Sequence, residues 1–261
     1  PLSFLPGSGA QQGRVWSSPD GKTFTLHNKA GALAGTVGGD GDTDIAIDGN
    51  GTAYMADLGN GIPLFSSKDN GTTWTEKDDI SQTPKGEGRD RQWIDARGDG
   101  KVVVVVAGTE HGNPRTILFI QSNDSGASWS KPRELTNTMI QIGPIIWVDD
   151  STLAMSYVEP IGNATTSQSS NVEGKMHVLI SRDAGLTWVD TPFESKIPRA
   201  LGCVTANFAP TFIFPVIAAA RSGNPYVAWA QTRDESDFSP DGRTLPLGRP
   251  TAQLVRAAAP G

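Results

Sequence analysis

The sequence predicts an all-β chain built from repeated four-stranded antiparallel sheets, on three observations. One short pattern, Ser-x-Asp-x-Gly-x-x-Trp, recurs at Ser67–Trp74, Ser122–Trp129 and Ser181–Trp188, a period of about 55 to 59 residues. A second pattern, an apolar run, a polar turn and another β-rich run, recurs between those copies. Finally, 30 Gly and 18 Pro in 261 residues interrupt every long window, so no helix of ordinary length can be placed.

The first pattern is turn chemistry. An Asp side chain accepts backbone N–H bonds a few residues ahead, and Gly tolerates positive φ. Apolar runs precede the copies, at 62–65, 117–120 and 177–180, and a Thr or Ser beside each Trp opens a second strand. Each copy therefore reads as a hairpin tip pinned by Ser67, Asp69 and Gly71, by Ser122, Asp124 and Gly126, and by Ser181, Asp183 and Gly185. Trp74, Trp129 and Trp188 fold back to plug the hairpin. Ser18–Phe24 is a shortened fourth copy with Phe in place of Trp. A Ca²⁺ loop is the rival reading, yet only one carboxylate recurs per copy and hard cations take several. No metal site is expected, and Ca²⁺ is the one cofactor left open.

The second pattern appears at 44–56, 93–107, 145–158 and 214–229. Each copy is itself a hairpin. Two hairpins per period make a four-stranded antiparallel sheet, the unit of a β-propeller. Val102–Val106 is continuous rather than alternating, as suits a strand buried on both faces. The count is uneven. The chain starts with the second half of a unit and stops after Thr251–Ala257, a candidate third strand with no box behind it. Four to five blades are expected in one domain over residues 1–261, an incomplete ring or part of a six- to seven-bladed one. Residues 1–12 and 258–261 are expected to be flexible ends. Open strand edges would seek a partner strand or a second copy.

Composition narrows the partners. A net charge of −6 without a Lys/Arg run argues against nucleic acid. No apolar window reaches membrane-spanning length. Cys203 is alone, and His27, His111 and His177 have no metal-ligand spacing. A chain beginning Pro1-Leu2 without Met, rich in exposed-type Asp, Asn, Thr and Ser, suggests an exported protein, secreted or at the cell surface.

The three full copies match the Asp-box, or bacterial neuraminidase repeat, at all four key positions, and residues 13–231 resemble secreted sialidase-like propellers. The resemblance implies that the boxes sit between the third and fourth strands of each blade, as fasteners on the face away from the ligand. The loops into each first strand and those joining second to third strands then lie on the ligand face. The lead-in segments carry Asp42 and Asp44, then Asp90, Arg91, Gln92 and Trp93, then Gln141, Ile142, Gly143 and Pro144. Asp42 and Asp44 read as a cation or sugar-hydroxyl site or as caps of a Gly-rich turn. Asp90 and Arg91 read as a ligand clamp or an ion pair, and Trp93 as a stacking platform or core. Glu110 and Glu159, in the second-to-third loops, join Asp90 as weak catalytic candidates.

A sialidase, by the same resemblance, needs three Arg around a substrate carboxylate, a Tyr nucleophile with a Glu, an Asp acid/base and an early Arg-Ile-Pro motif. That motif is missing, and Lys196-Ile197-Pro198-Arg199 is only an echo of it. Tyr54, Tyr157 and Tyr226 all fall in second strands of their hairpins, and although Glu159 shares a strand face with Tyr157, no Arg triad gathers there. Three readings follow: a glycan- or protein-binding scaffold, a glycoside hydrolase using ligand-face carboxylates, and a component of a larger extracellular assembly.

Overall fold

The computed structural model describes residues 15–26, 43–58, 61–77, 79–82, 88–109, 115–139, 141–161, 172–200, 215–220, 223–231 and 251–256. Every regular element among them is a strand, and no helix is long and apolar enough to cross a membrane. The chain divides into two compact units, residues 1–106 with 119–133 and residues 107–118 with 134–261.

Strands β1 (Trp16–Ser17) and β2 (Thr25–Leu26) form a hairpin around the shortened box. β3 (Thr43–Ile47), β4 (Ala53–Asp57), β5 (Leu64–Ser67) and β6 (Thr75–Lys77) make a four-stranded sheet in chain order. β7 (Gly88–Arg97), β8 (Lys101–Thr109), β9 (Arg115–Ser122) and β10 (Arg133–Met139) repeat that order. So do β11 (Gln141–Trp147), β12 (Leu153–Ile161), β13 (Val172–Ser181) and β14 (Val189–Ala200). β15 (Val216–Ala219), β16 (Pro225–Gln231) and β17 (Thr251–Arg256) form a three-stranded sheet. Among the described residues the first sheet thus has two strands and the last has three, in line with the uneven repeat count.

Interior strands carry the continuous apolar runs. Val102–Val106 of β8 are all buried, and so are Tyr54, Met55 and Ala56 of β4. In the first unit Val15, Met55 and Phe65 pack together with Trp74 at their edge. In the second, Ala154, Val158, Met176 and Val178 meet Ile217, Val227 and Trp229 across the seam between β12–β13 and β15–β16. The register of β11 shifts between Ile142 and Ile145, at Gly143-Pro144. Pro cannot donate to a ladder, which confines it to such a bulge. Gly143 rests on the Pro215 carbonyl, where any Cβ would collide.

Two lead-in segments differ from the sequence expectation. Arg91, Gln92 and Trp93 lie inside β7, and Gln141–Pro144 lie inside β11, not in loops. The strands absorb them through local irregularities: Arg91 takes φ 56°, and β11 carries its bulge. Glu159 likewise belongs to β12, hydrogen-bonded in register opposite Lys175, rather than to a surface loop.

The three boxes are built alike. The Ser Oγ donates to the Asp Oδ1 at 2.9, 2.8 and 2.8 Å and accepts the Gly N–H at 2.9, 2.9 and 2.8 Å. The same Oδ1 accepts the backbone N–H of Thr73, Ser128 and Thr187, whose hydroxyls donate to Oδ2. The Trp Nε1–H donates to the Gly carbonyl at 3.0, 3.1 and 3.1 Å. These bonds, led by the hydroxyls of Thr73, Ser128 and Thr187, hold Asp69, Asp124 and Asp183 down to a pKa of about 2. Asn70, Ser125 and Ala184 each stand at φ between 54° and 60°, immediately before a Gly that is also left-handed. In the shortened box, Asp20 still accepts from Lys22 and Thr23, but Phe24 is exposed.

In each sheet the box lies at the same end as the turn between first and second strands. Ser125 N donates to Gly100 O at 3.0 Å, and Ala184 N to Ser151 O at 2.6 Å. Asp48 accepts from Asn50, Thr52 and the Tyr54 hydroxyl, and Gly49 N donates to Gly98 O. The turn of one sheet therefore grips the turn of the next within the first unit.

Candidate functional site

At the end of the first unit opposite its boxes, polar groups gather on β3, β4 and β7. Asp44 accepts N–H bonds from Ile45 at 2.9 Å and from Ile94, on β7, also at 2.9 Å. Burial raises its pKa, and the two amides offset only part of that effect. Asp57 accepts from the Thr43 hydroxyl and from Leu58 N. Gln92 is buried and donates through Nε2 to the Ala56 carbonyl at 3.3 Å. Arg91 and Trp93 are half-buried on the same strand. Beside them, Asp79 closes the loop between β4 and β5 by accepting from Ile62 N, Ser81 N and the Ser81 hydroxyl.

The structure thus brings Asp44, Gln92 and the backbone of Ile94 to one place, and gives Asp44 a stapling duty between two first strands. Asp90 lies in β7. Asp42 and Glu110 lie outside the described residues. Among the described residues, no three His, Cys, Asp or Glu side chains are placed to hold a metal ion.

A second constellation lies in the other unit and escaped sequence reasoning. Tyr157 on β12 is the cross-strand partner of His177 on β13, and their rings stack with centroids 4.6 Å apart. The Tyr157 hydroxyl donates to Asp190 Oδ2 of β14 at 2.6 Å. His177 Nδ1 stands 2.9 Å from Asp190 Oδ1, and Nε2 stands 3.0 Å from Glu159 Oε2. Tyr157 is 1% exposed and His177 6%, while the Glu159 and Asp190 side chains are 29% and 39% exposed.

Burial, and then the Asp190 carboxylate, push the Tyr157 phenol well above its ordinary pKa. Burial pulls Asp190 upward, but bonds from His177 and Tyr157 outweigh it and hold that carboxyl low. The phenol is therefore kept as a donor, which is the reverse of an activated nucleophile. The signal that could have found this cluster is His177 itself, a polar residue inside the apolar run of β13, opposite Tyr157 with Glu159 two residues on.

Residues 10–236 match the family described as DUF6242 beta propeller domain. No curated protein matches the chain. Among solved structures, a protein of unknown function from Dyadobacter fermentans is 12% identical, with a TM-score of 0.58, over 92% of this chain and 62% of its own. A Hadza microbial sialidase is 16% identical at TM-score 0.53, covering 82% of this chain and 44% of its own. An ulvan lyase of polysaccharide lyase family PL25 is 12% identical at 0.52, covering 82% and 54%. The chain spans about half the length of these structures. At such identities the likeness establishes the fold, a sialidase-like β-propeller, and nothing further.

Proposed function

We propose that this chain, which belongs to the family of DUF6242 β-propeller domains, is an exported carbohydrate-binding module that takes its ligand at the strand ends opposite its boxes. The observation that carries the reading is the division of labour within each sheet. One end is consumed by Asp-pinned turns, whereas the other holds fixed polar side chains, buried at Gln92 and partly exposed at Glu159. Saccharides are recognised by such planar hydrogen-bonding groups held in place by a rigid scaffold. Two of the structural neighbours are named for acting on carbohydrate, a sialidase and an ulvan lyase.

Binding is favoured over sialidase-type hydrolysis by the state of Tyr157. A nucleophilic phenol needs a lowered pKa and access to substrate, and Tyr157 has neither. The test is a glycan array probed with the wild-type chain and with Asp90→Ala and Arg91→Ala. Selective binding weakened by either substitution is expected. Absence of binding by the wild type refutes the proposal, and binding that both variants leave unchanged removes the β7 lead-in residues from the site.

A further inference from the structure

We infer that Glu159 is a ligand-contacting carboxylate, positioned by His177 and Asp190, and that it accepts hydroxyls of a neutral saccharide. This rests on the reading of the chain as a glycan-binding module and names the ligand class at one of its sites.

The argument begins with immobilisation. A Glu side chain on a strand end ordinarily samples several rotamers, and fixing it costs conformational entropy. Here Oε2 is tied to His177 Nε2 at 3.0 Å. His177 cannot swing, because Asp190 holds its other nitrogen at 2.9 Å and the Tyr157 ring stacks on its face. Tyr157 is fixed in turn by its bond to Asp190. Three strands, β12, β13 and β14, thus converge on the placement of one carboxylate.

The chain of contacts is buried at its centre and open at Glu159, whose side chain is 29% exposed. Among the described residues its side-chain hydrogen bond runs through Oε2, and Glu159 lies toward the end of β12 away from box Ser181–Trp188. Such preorganisation is what a recognition site needs, because the ordering cost is met before the ligand arrives.

Charge selects the ligand class. An ionised carboxylate only accepts hydrogen bonds. Glu159 and Asp190 place two negative groups around one imidazole, with the Lys175 ammonium on the cross-strand neighbour of Glu159. A sialic or uronic acid would bring a third carboxylate beside Glu159 and Asp190, whose side-chain hydrogen-bond partners among the described residues include no guanidinium. A neutral polyol brings donors without charge.

The test is saturation-transfer NMR and calorimetry on the full chain with lactose, cellobiose and sialyllactose. The wild type is expected to bind a neutral disaccharide, and Glu159→Gln to weaken it at least tenfold with an unchanged unfolding midpoint. His177→Phe, which keeps an aromatic ring against Tyr157 but removes the Nε2 contact to Glu159, is expected to weaken binding too. The readout that a purely structural role would not move is the response to a deoxy analogue of the bound sugar. Removing the contacted hydroxyl should weaken wild type but leave Glu159→Gln nearly indifferent. Preference for sialyllactose, or neutral-sugar binding unaffected by Glu159→Gln, overturns the inference while the binding module stands. No binding by the wild type to these sugars or to the glycan array overturns both. If Glu159→Gln proves unstable, Glu159→Asp, which shortens the reach, carries the same expectation of tenfold loss.

Discussion

Replacing Gly100 by Ala should be far more damaging than replacing Gly98, two residues earlier in the same β7–β8 turn. Both glycines are left-handed, at φ 58° for Gly98 and 89° for Gly100. Around a Cβ built on Gly98 there is open space to 4 Å, so that substitution isolates conformational strain. Left-handed backbone costs an ordinary residue about 1 to 2 kcal/mol, and the stiffer unfolded chain returns about 0.4 to 1 kcal/mol, leaving a loss of about 1 kcal/mol. A Cβ on Gly100 would collide with Ser125 Oγ and stand 2.8 Å from Ser125 N, in the second box. The box would have to retreat, breaking the 3.0 Å bond from Ser125 N to the Gly100 carbonyl. Overpacking adds about 1 to 3 kcal/mol and the orphaned amide about 1 kcal/mol or more. The total for Gly100→Ala is about 3 to 5 kcal/mol, a fall of roughly 10 °C in Tm against a few degrees for Gly98→Ala. Urea unfolding followed by Trp fluorescence measures both. Equal losses for the two variants would refute the claim that the box braces the turn.

Three further outcomes are expected. Asp69, Asp124 and Asp183 should titrate near pH 2 in the folded chain, by NMR of their carboxyl carbons. Since their folded values lie below the unfolded one of about 3.9, their contribution is present above pH 4 and is lost as pH falls toward 2, and midpoints near 4 would contradict the geometry. Asp44 has the opposite sign: its raised pKa means that ionisation costs stability as pH rises through the carboxylate range, so Asp44→Asn removes that cost at pH 7. The variant also turns its NH2 on one of the two backbone N–H groups, Ile45 or Ile94, that donate to the Asp44 oxygens, and the two effects should leave stability within about 1 kcal/mol of wild type. A clear loss of stability in denaturant titration would show that the charge itself matters. Ser156→Ala should likewise be neutral or mildly stabilising, because the fully buried Ser156 Oγ has no hydrogen-bond partner among the described residues, and a loss above about 1 kcal/mol would reveal a hidden one.

The repeats were legible because both depend on short-range chemistry. Ser67, Asp69, Gly71 and Trp74 contact one another within a span of eight residues, so their spacing alone announces the turn. Even the third strand at Thr251–Arg256, paired with β16, follows from the repeat pattern. The site residues were legible only as residue types. Asp44 meets Ile94 across 50 positions, and Gln92 meets Ala56 across 36, contacts set by how one sheet lies on the next. Glu159 reads from sequence as the first residue of a second-to-third loop, just past the apolar run 153–158. β12 nevertheless runs on to Ile161, paired residue by residue with β13. His177 was weighed only as a metal ligand, since its partners Glu159 and Asp190 come into range through register, which local sequence does not encode.

What separates Glu159 from the other carboxylates is the identity of the group that holds it. Asp69, Asp124 and Asp183 are occupied by amides and hydroxyls within four residues, and Asp48 and Asp149 by those of their own turns. Those acids build backbone, and any of them that released its partners would undo a turn. Asp44 and Asp79 do the same across a longer reach, to Ile94 and Ile62. Glu159 builds no turn and accepts no amide among the described residues. It is held by a side chain, which is held by two more. A strand ladder already complete from Leu153 to Ile161 has no need of that support. Two partly exposed acids held around a buried His are the arrangement on which the proposed ligand contact at Glu159 rests.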